Sequence, residues 1–219
     1  MIQEMTTCKV RDLGLVDYAE ACALQKQCVN DLLDGGSQTL LLCEHPPVLT
    51  LGRLTNEKNL LIKNEELAKQ EIGIHSVDRG GDITLHAPGQ LVIYPILDLA
   101  NFGKDLRRYL HRLEQVAIDL LGDFDIVASR LSGQTGVWVG KQKIASIGIG
   151  VRKWISFHGL AVNVDTDLTL FSMIRPCGLN AEMTSMAKIK GEVVDMAKVK
   201  KKMVECFCRN FLLDLLKDE

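Results

Sequence analysis

The chain has 219 residues, of which 47% are hydrophobic and 25% charged, with a formal net charge of −2. That length supports a sizeable core, so residues 1–219 are expected to fold as a single domain. The near-neutral balance lacks the cationic field that nonspecific nucleic-acid binding needs.

The opening MIQEMTTCKVR holds no apolar run of signal-peptide length, and nowhere do about 18 apolar residues run uninterrupted. A cytoplasmic protein with no membrane association is expected. Cysteines at Cys8, Cys22, Cys28, Cys43, Cys177, Cys206 and Cys208 are odd in number and scattered. They fit neither a disulfide framework nor a C-x-x-C metal site, and reduced thiols are the simplest account.

From Asp17 to about Asp34, apolar residues at Ala21, Leu24, Cys28 and Leu32 follow helical spacing, with Asp17 and Glu20 as a capping-box start and Gly35-Gly36 as a stop. Strand-like runs at 39–43 and 48–52 are separated by His45-Pro46-Pro47, whose prolines forbid one continuous strand. A short helix around Asn64 to Gln70 precedes strand-like stretches at 73–78, 82–86 and 91–97. Leu106, Tyr109, Leu110, Leu113, Val116, Ala117 and Leu120 then repeat at helical spacing as far as Gly122. Strands at 136–140 and 143–151 read as a hairpin around Gly140-Lys141-Gln142. A strand region at 155–164 follows, and a final helix is expected from about Val194 to Leu216. Because strands come in groups with helices between the groups, a doubly wound sheet fits poorly. The expected fold is α/β with a mixed, largely antiparallel central sheet flanked by helices.

Four constellations could carry chemistry. In Arg79-Gly80-Gly81-Asp82-Ile83-Thr84-Leu85-His86, followed by Ala87-Pro88-Gly89-Gln90, glycines permit close backbone approach while Arg79, Thr84 and His86 add a cation and hydrogen-bonding groups. The same residues would also suit a loop that needs glycines for its turns. Arg175-Pro176-Cys177-Gly178 sets a cysteine in an uncrowded loop beside a cation, which favours thiolate, although most free cysteines are inert core residues. Lys143 begins a small apolar strand and can turn inward or lie solvated at the edge. In Phe157-His158-Gly159-Leu160-Ala161, the missing side chains leave space for a ligand or for a neighbouring helix. His45, His75, His111 and His158 lack metal-ligand spacing and are expected to be structural; no metal is expected. P-loop, G-x-S-x-G and Rossmann fingerprints are absent from the sequence.

Taken together, EHPPVLTLGR (44–53), RGGDITLHAPGQLVIYPILDL (79–99), GVWVGKQKIASIGIGV (136–151), FHGLAVNV (157–164) and RPCGL (175–179) resemble the lipoyl(octanoyl) transferase family, in order and in spacing, from about Cys43 to Met186. Leu85 departs from the pattern, standing where the family more often has an aromatic residue. The resemblance implies the fold of lipoate and biotin protein ligases. It also implies that Cys177 is the acyl-thioester nucleophile, that Lys143 lowers its pKa, and that Arg79 to His86, Ser146-Ile147-Gly148 and Gly159-Leu160-Ala161 contact substrate.

The implied reaction takes an octanoyl group from acyl carrier protein onto Cys177 and passes it to a lysine on lipoyl domains, those of 2-oxoacid dehydrogenases and the glycine cleavage H protein. No cofactor is needed, since thioester exchange is nearly balanced and amide formation runs downhill. One positive charge about 4 Å from a thiolate is worth about 4 kcal/mol at an effective dielectric of about 20. Half of that would bring a thiol of pKa about 8.5 to neutrality. The alternatives are an ATP-dependent lipoate-protein ligase on the same architecture, an acyl-binding protein without turnover, and a cysteine hydrolase.

Overall fold

The computed structural model describes residues 6–175 and 182–216, and the strands at its centre have two apolar faces. In β2 (Gln38–Glu44), Leu40 and Leu42 enter one core while Leu41 and Cys43 enter another. In β6 (Gln90–Ile96), Leu91 and Ile93 face the first core, and Val92, Tyr94 and Ile96 the second. A strand with both faces buried reads as a continuous apolar run. Both strands therefore sit mid-sheet, which runs β11–β1–β2–β6–β10–β9–β8–β7.

The remaining members of that sheet are β1 (Thr6–Leu15), β7 (Ser129–Leu131), β8 (Gln134–Val139), β9 (Gln142–Arg152), β10 (Ile155–Asn163) and β11 (Leu213–Leu215). β1 pairs in parallel with β2 and with β11, and the other neighbours are antiparallel. A second, three-stranded sheet runs β4–β3–β5, from β3 (Val48–Leu51), β4 (Gly73–Ser76) and β5 (Ile83–His86). This is the mixed, largely antiparallel architecture expected from the grouping of strands.

One face of the large sheet is covered by α3 (Leu106–Gly122) and α5 (Met196–Phe211), whose Leu113, Val116, Leu120, Met203 and Phe207 join the first core. α1 (Tyr18–Leu33) covers the other through Ala21, Cys28 and Val29. Asp17 caps α1 by accepting the amides of Ala19 and Glu20 at 2.7 and 3.3 Å. The short α2 (Asn64–Lys69) lies beside the small sheet, with Leu67 in a third core. α4 (Met186–Lys190) precedes α5.

The C-terminus differs from expectation. α5 stops at Phe211, Leu212 turns left-handed at φ +54°, and Leu213–Leu215 becomes an edge strand on Thr6–Cys8. The apolar residues from Phe211 onward satisfy helical or strand spacing equally, and the open edge of β1 decides between them. β1 itself breaks its alternation near Asp12, where the register against β2 shifts, which hides its strand pattern.

Candidate active site

Between the two sheets lies a cleft of about 50 Å³. Of the residues singled out in the sequence, Arg79, Gly81, Asp82, Ile83, Thr84, His86, Lys143, Ser146, Ile147, Gly148, Gly159, Leu160 and Ala161 line it together. Gly80 stands behind the lining, its amide donating to Ile149 O at 2.8 Å. Leu85 points the other way, wholly buried with Leu49, Leu67 and Phe171 in the core of the small sheet. Cys177 lies outside the described residues.

Lys143 reaches the cleft through an irregularity. Val137 pairs with Ala145, yet Trp138 pairs with Lys143, so β9 carries one extra residue there. Such a bulge re-aims a side chain. Val137 and Ala145 face α3 and α5, so Trp138 and Lys143 face the cleft side. The ammonium sits 5.4 Å from the centroid of the Trp138 ring, and both residues are buried. Gly136, at φ +121°, makes room: a Cβ there would come within 2.7 Å of Lys143 Cε. Its amide is held at 3.2 Å by Glu114 of α3, which also accepts from Arg130 Nε at 2.9 Å.

The backbone of Lys143 is tied to the far end of the Cys177 segment. Its N–H donates to Glu182 O at 2.8 Å, and its carbonyl accepts from Thr184 N at 2.9 Å. The near end is tied to a different wall. Arg175 N donates to Asn59 O at 2.8 Å, and the Asn59 amide bonds the Asp82 carboxylate. Asp82 also accepts from the amides of Asn56 at 3.1 Å and Ile83 at 2.8 Å. Asp82 thereby braces the 56–60 turn and, through it, Arg175.

Arg79 is buried, and its guanidinium donates to Thr50 O at 2.7 Å, to Thr50 Oγ1 at 2.8 Å and to Gly80 O at 3.0 Å. It passes so close to Gly148 that a Cβ there would meet Arg79 Cδ at 2.8 Å. The gap at Gly159 serves packing as well as the cleft, since a side chain there would strike Pro95 of β6.

His86 donates from Nδ1 to Gln90 Oε1 at 2.6 Å. Gln90 Nε2 donates to Asn163 Oδ1 at 2.9 Å, and Asn163 Nδ2 to Thr184 O at 2.9 Å. This buried chain links the glycine-rich segment to the residue bonded to Lys143. Burial pushes the His86 imidazole down to about 3, helped by the nearby His45, so it is neutral at physiological pH.

Three aromatic residues were not legible as site residues. Tyr18 packs its ring against those of His45 at 5.3 Å and His86 at 6.0 Å. Tyr94 donates to His45 Nε2 at 2.7 Å, while His45 Nδ1 donates to Val16 O at 2.8 Å. His45 is thus wholly buried and structural, as expected from its lack of metal-ligand spacing. His158, by contrast, lines the cleft. The register of β10 on β6 places it opposite Pro95, which has no N–H to donate. His158 takes φ +55°, and its own amide goes to Gln25 Oε1 at 2.8 Å. Its Nε2 meets Asp78 Oδ1 at 3.0 Å. The signal for His158 was present only in the FHG block.

Among the described residues, no group of three or more His, Cys, Asp or Glu could hold a metal ion. Nor is any described helix long and apolar enough to cross a membrane.

The family profile described as Lipoyl protein ligase A/B catalytic domain matches residues 17–208. The chain belongs to this family. It is 49% identical to a protein named Octanoyltransferase from Syntrophotalea carbinolica, over 91% of this chain and 92% of that one. A protein of the same name from Solibacter usitatus is 44% identical, over 97% and 96%. Such identity over nearly the whole length makes the chain an enzyme of the acyltransferase class. Its fold is that of a bipartite lipoate protein ligase from Thermoplasma acidophilum (TM-score 0.71, 14% identity, 97% of this chain and 87% of that one). Biotin protein ligase from Aquifex aeolicus also shares it (TM-score 0.59, 16% identity, 94% and 70%).

Proposed function

We propose that the enzyme transfers an octanoyl group from acyl carrier protein to a specific lysine of lipoyl domains, in the cytoplasm, through a thioester on Cys177. The thiolate of Cys177 attacks the donor thioester carbonyl, a new C–S bond forms, and the carrier thiol leaves. The ε-amine of the acceptor lysine then attacks, the amide forms, Cys177 leaves as thiolate, and the amine gives up a proton. Lys143 stabilises the thiolate by its charge, gives a proton to the departing carrier thiolate as Cys177 is acylated, and as the neutral amine takes the acceptor's proton in the second step. Gly148 N–H and amides near Cys177 are the candidate donors to the tetrahedral oxyanion.

The observation that carries this reading is the pairing of Lys143, on both its N–H and its C=O, with Glu182 and Thr184, which lie five and seven residues after Cys177. That ladder holds Glu182 and Thr184 against Lys143, which itself lines the cleft between the two sheets. The names of the relatives supply the octanoyl group.

Intact-mass spectrometry after mixing with octanoyl-acyl carrier protein tests the reading. One octanoyl group should be gained, removed by hydroxylamine, lost in Cys177→Ala, and passed on to an added lipoyl domain. Transfer that persists in Cys177→Ala would reject the thioester route. Modification only with free octanoate and ATP would identify a ligase, and release of free octanoic acid a hydrolase.

A further inference from the structure

The cleft shares a wall with a second, larger cavity. Tyr18 and His158 line both. Beyond them a space of about 720 Å³ opens between α1 and the end of the β9–β10 hairpin, walled by Ala23, Val29, Val77 and Phe157, with Cys22 among them. Lys143 and this wall stand apart along β9. The lysine's ammonium lies against Gly136, which the register of Val137 on Ala145 sets opposite Ser146, whereas His158 pairs with Ile149, three residues further on, or roughly 10 Å of extended chain. An acyl chain whose carbonyl lies at the lysine therefore runs along β9 with its methyl end toward Tyr18 and His158.

Each member of the wall is fixed separately. Tyr18 is the first residue of a capped helix and stacks on His86, with 13° between the rings. His158 is held in its left-handed conformation by Gln25 on its amide and by Asp78 on its ring. A non-glycine residue in that conformation inside a strand persists only when its surroundings impose it.

We propose that Tyr18 and the Asp78-bonded His158 are the residues that limit acyl chain length, by closing the cleft against the second cavity. The inference rests on the acyl-transfer reading above. A chain too long for the cleft has to pass the wall, and once past it would meet Ala23, Val29, Val77 and Phe157, with the polar Lys26, Asp78 and Arg152 also in the lining. With the wall open, each further methylene that leaves water improves binding by about fourfold.

Octanoyl, decanoyl and dodecanoyl thioesters of acyl carrier protein, offered separately with a lipoyl domain, provide the test by mass analysis of the product. In the wild-type protein kcat/KM should fall from octanoyl to dodecanoyl. His158→Gly, which tolerates the positive φ, should raise the dodecanoyl-to-octanoyl ratio at least tenfold. Adding Ala23→Phe, which fills the second cavity from α1, should restore the wild-type ratio. An unchanged ratio in His158→Gly would overturn the inference, as would a raised ratio that Ala23→Phe leaves untouched. Tyr18→Leu serves the same purpose should His158→Gly not fold. If the wild-type protein transfers no octanoyl group, the transfer reading fails. The wall is then judged by melting shifts with free octanoate and dodecanoate, where only the opened variant should favour the longer acid.

Discussion

Lys143 Nζ stands 5.4 Å from the centroid of the Trp138 ring, with the two residues paired across the β8–β9 hairpin at the point where β9 carries an extra residue. The indole face attracts the ammonium and fixes where its charge sits. In a desolvated setting such a contact is worth about 2 kcal/mol.

Trp138→Leu should therefore lower kcat/KM by roughly tenfold while Trp138→Phe retains most of it. The sign on the pH profile is fixed by charge. A cation held less closely stabilises the Cys177 thiolate less, so the rising limb of activity should move to higher pH. Steady-state rates between pH 5 and 9, with a thermal melt to confirm folding, check this. A limb that stays in place would mean that the ring serves packing alone.

The six described cysteines are all poor nucleophiles. Burial pushes Cys8 up to about 12 and Cys206 up to about 11, and it raises Cys22, Cys28, Cys43 and Cys208 as well. Brief iodoacetamide treatment at pH 7 should label Cys177 ahead of all of these, by peptide mapping. Lys143→Ala should slow that labelling. Equal labelling of Cys22 or Cys208 would argue against an activated Cys177.

Acid should begin to destabilise the fold above the range in which carboxylates ordinarily titrate. His86 accepts a proton only near pH 3 when folded but near its ordinary 6.5 when unfolded, so between those values the unfolded chain binds more protons. The contribution of neutral His86 to stability is complete above about pH 6.5 and is lost as pH falls toward 3. Burial lowers His45 and His158 too, in the same direction. Urea unfolding at pH 7.5 and 5 should give a lower midpoint at pH 5, and His86→Gln should shrink the difference.

Asp82 holds two backbone amides and the Asn59 side chain, and Asn59 in turn holds Arg175. Asp82→Ala should cost about 2 kcal/mol of stability, since amides left unpaired cost more than the bonds were worth. In a chain of this size that corresponds to a melting temperature lower by roughly 4–8 °C. Transfer should fall further than the melt implies, because the segment leading to Cys177 loses its brace. Calorimetry alongside turnover separates the two effects.

Much of this architecture was legible from spacing. The α1 and α3 helices, the proline corner after β2 and the β8–β9 hairpin all follow from local periodicity and turn chemistry, which here agree with the tertiary fold. What escaped is what breaks a period. Regular alternation puts Lys143 on the same face as Ala145, and His158 on the same face as Leu160 and Val162, toward α3 and α5 in both cases. A bulge turns the lysine, and a left-handed residue turns the histidine. Neither is visible without knowing which strand lies alongside. Tyr18, Tyr94 and Thr50 were missed for a related reason, since their roles come from partners 27 to 49 residues away: Tyr18 on His45, Tyr94 on His45 and Arg79 on Thr50 lie 27, 49 and 29 positions apart.

Pro95 has no hydrogen on its nitrogen, and the strand beside it adjusts to that vacancy. The chain at 158 cannot take the straight course that a donor would reward, and Ser156 instead gives its hydroxyl to the Pro95 carbonyl at 2.7 Å. Where the imidazole points is thus decided by an imino acid on the neighbouring strand. Swapping that ring for an ordinary residue would leave every atom of the histidine in place chemically and yet could reverse the side of the sheet it serves.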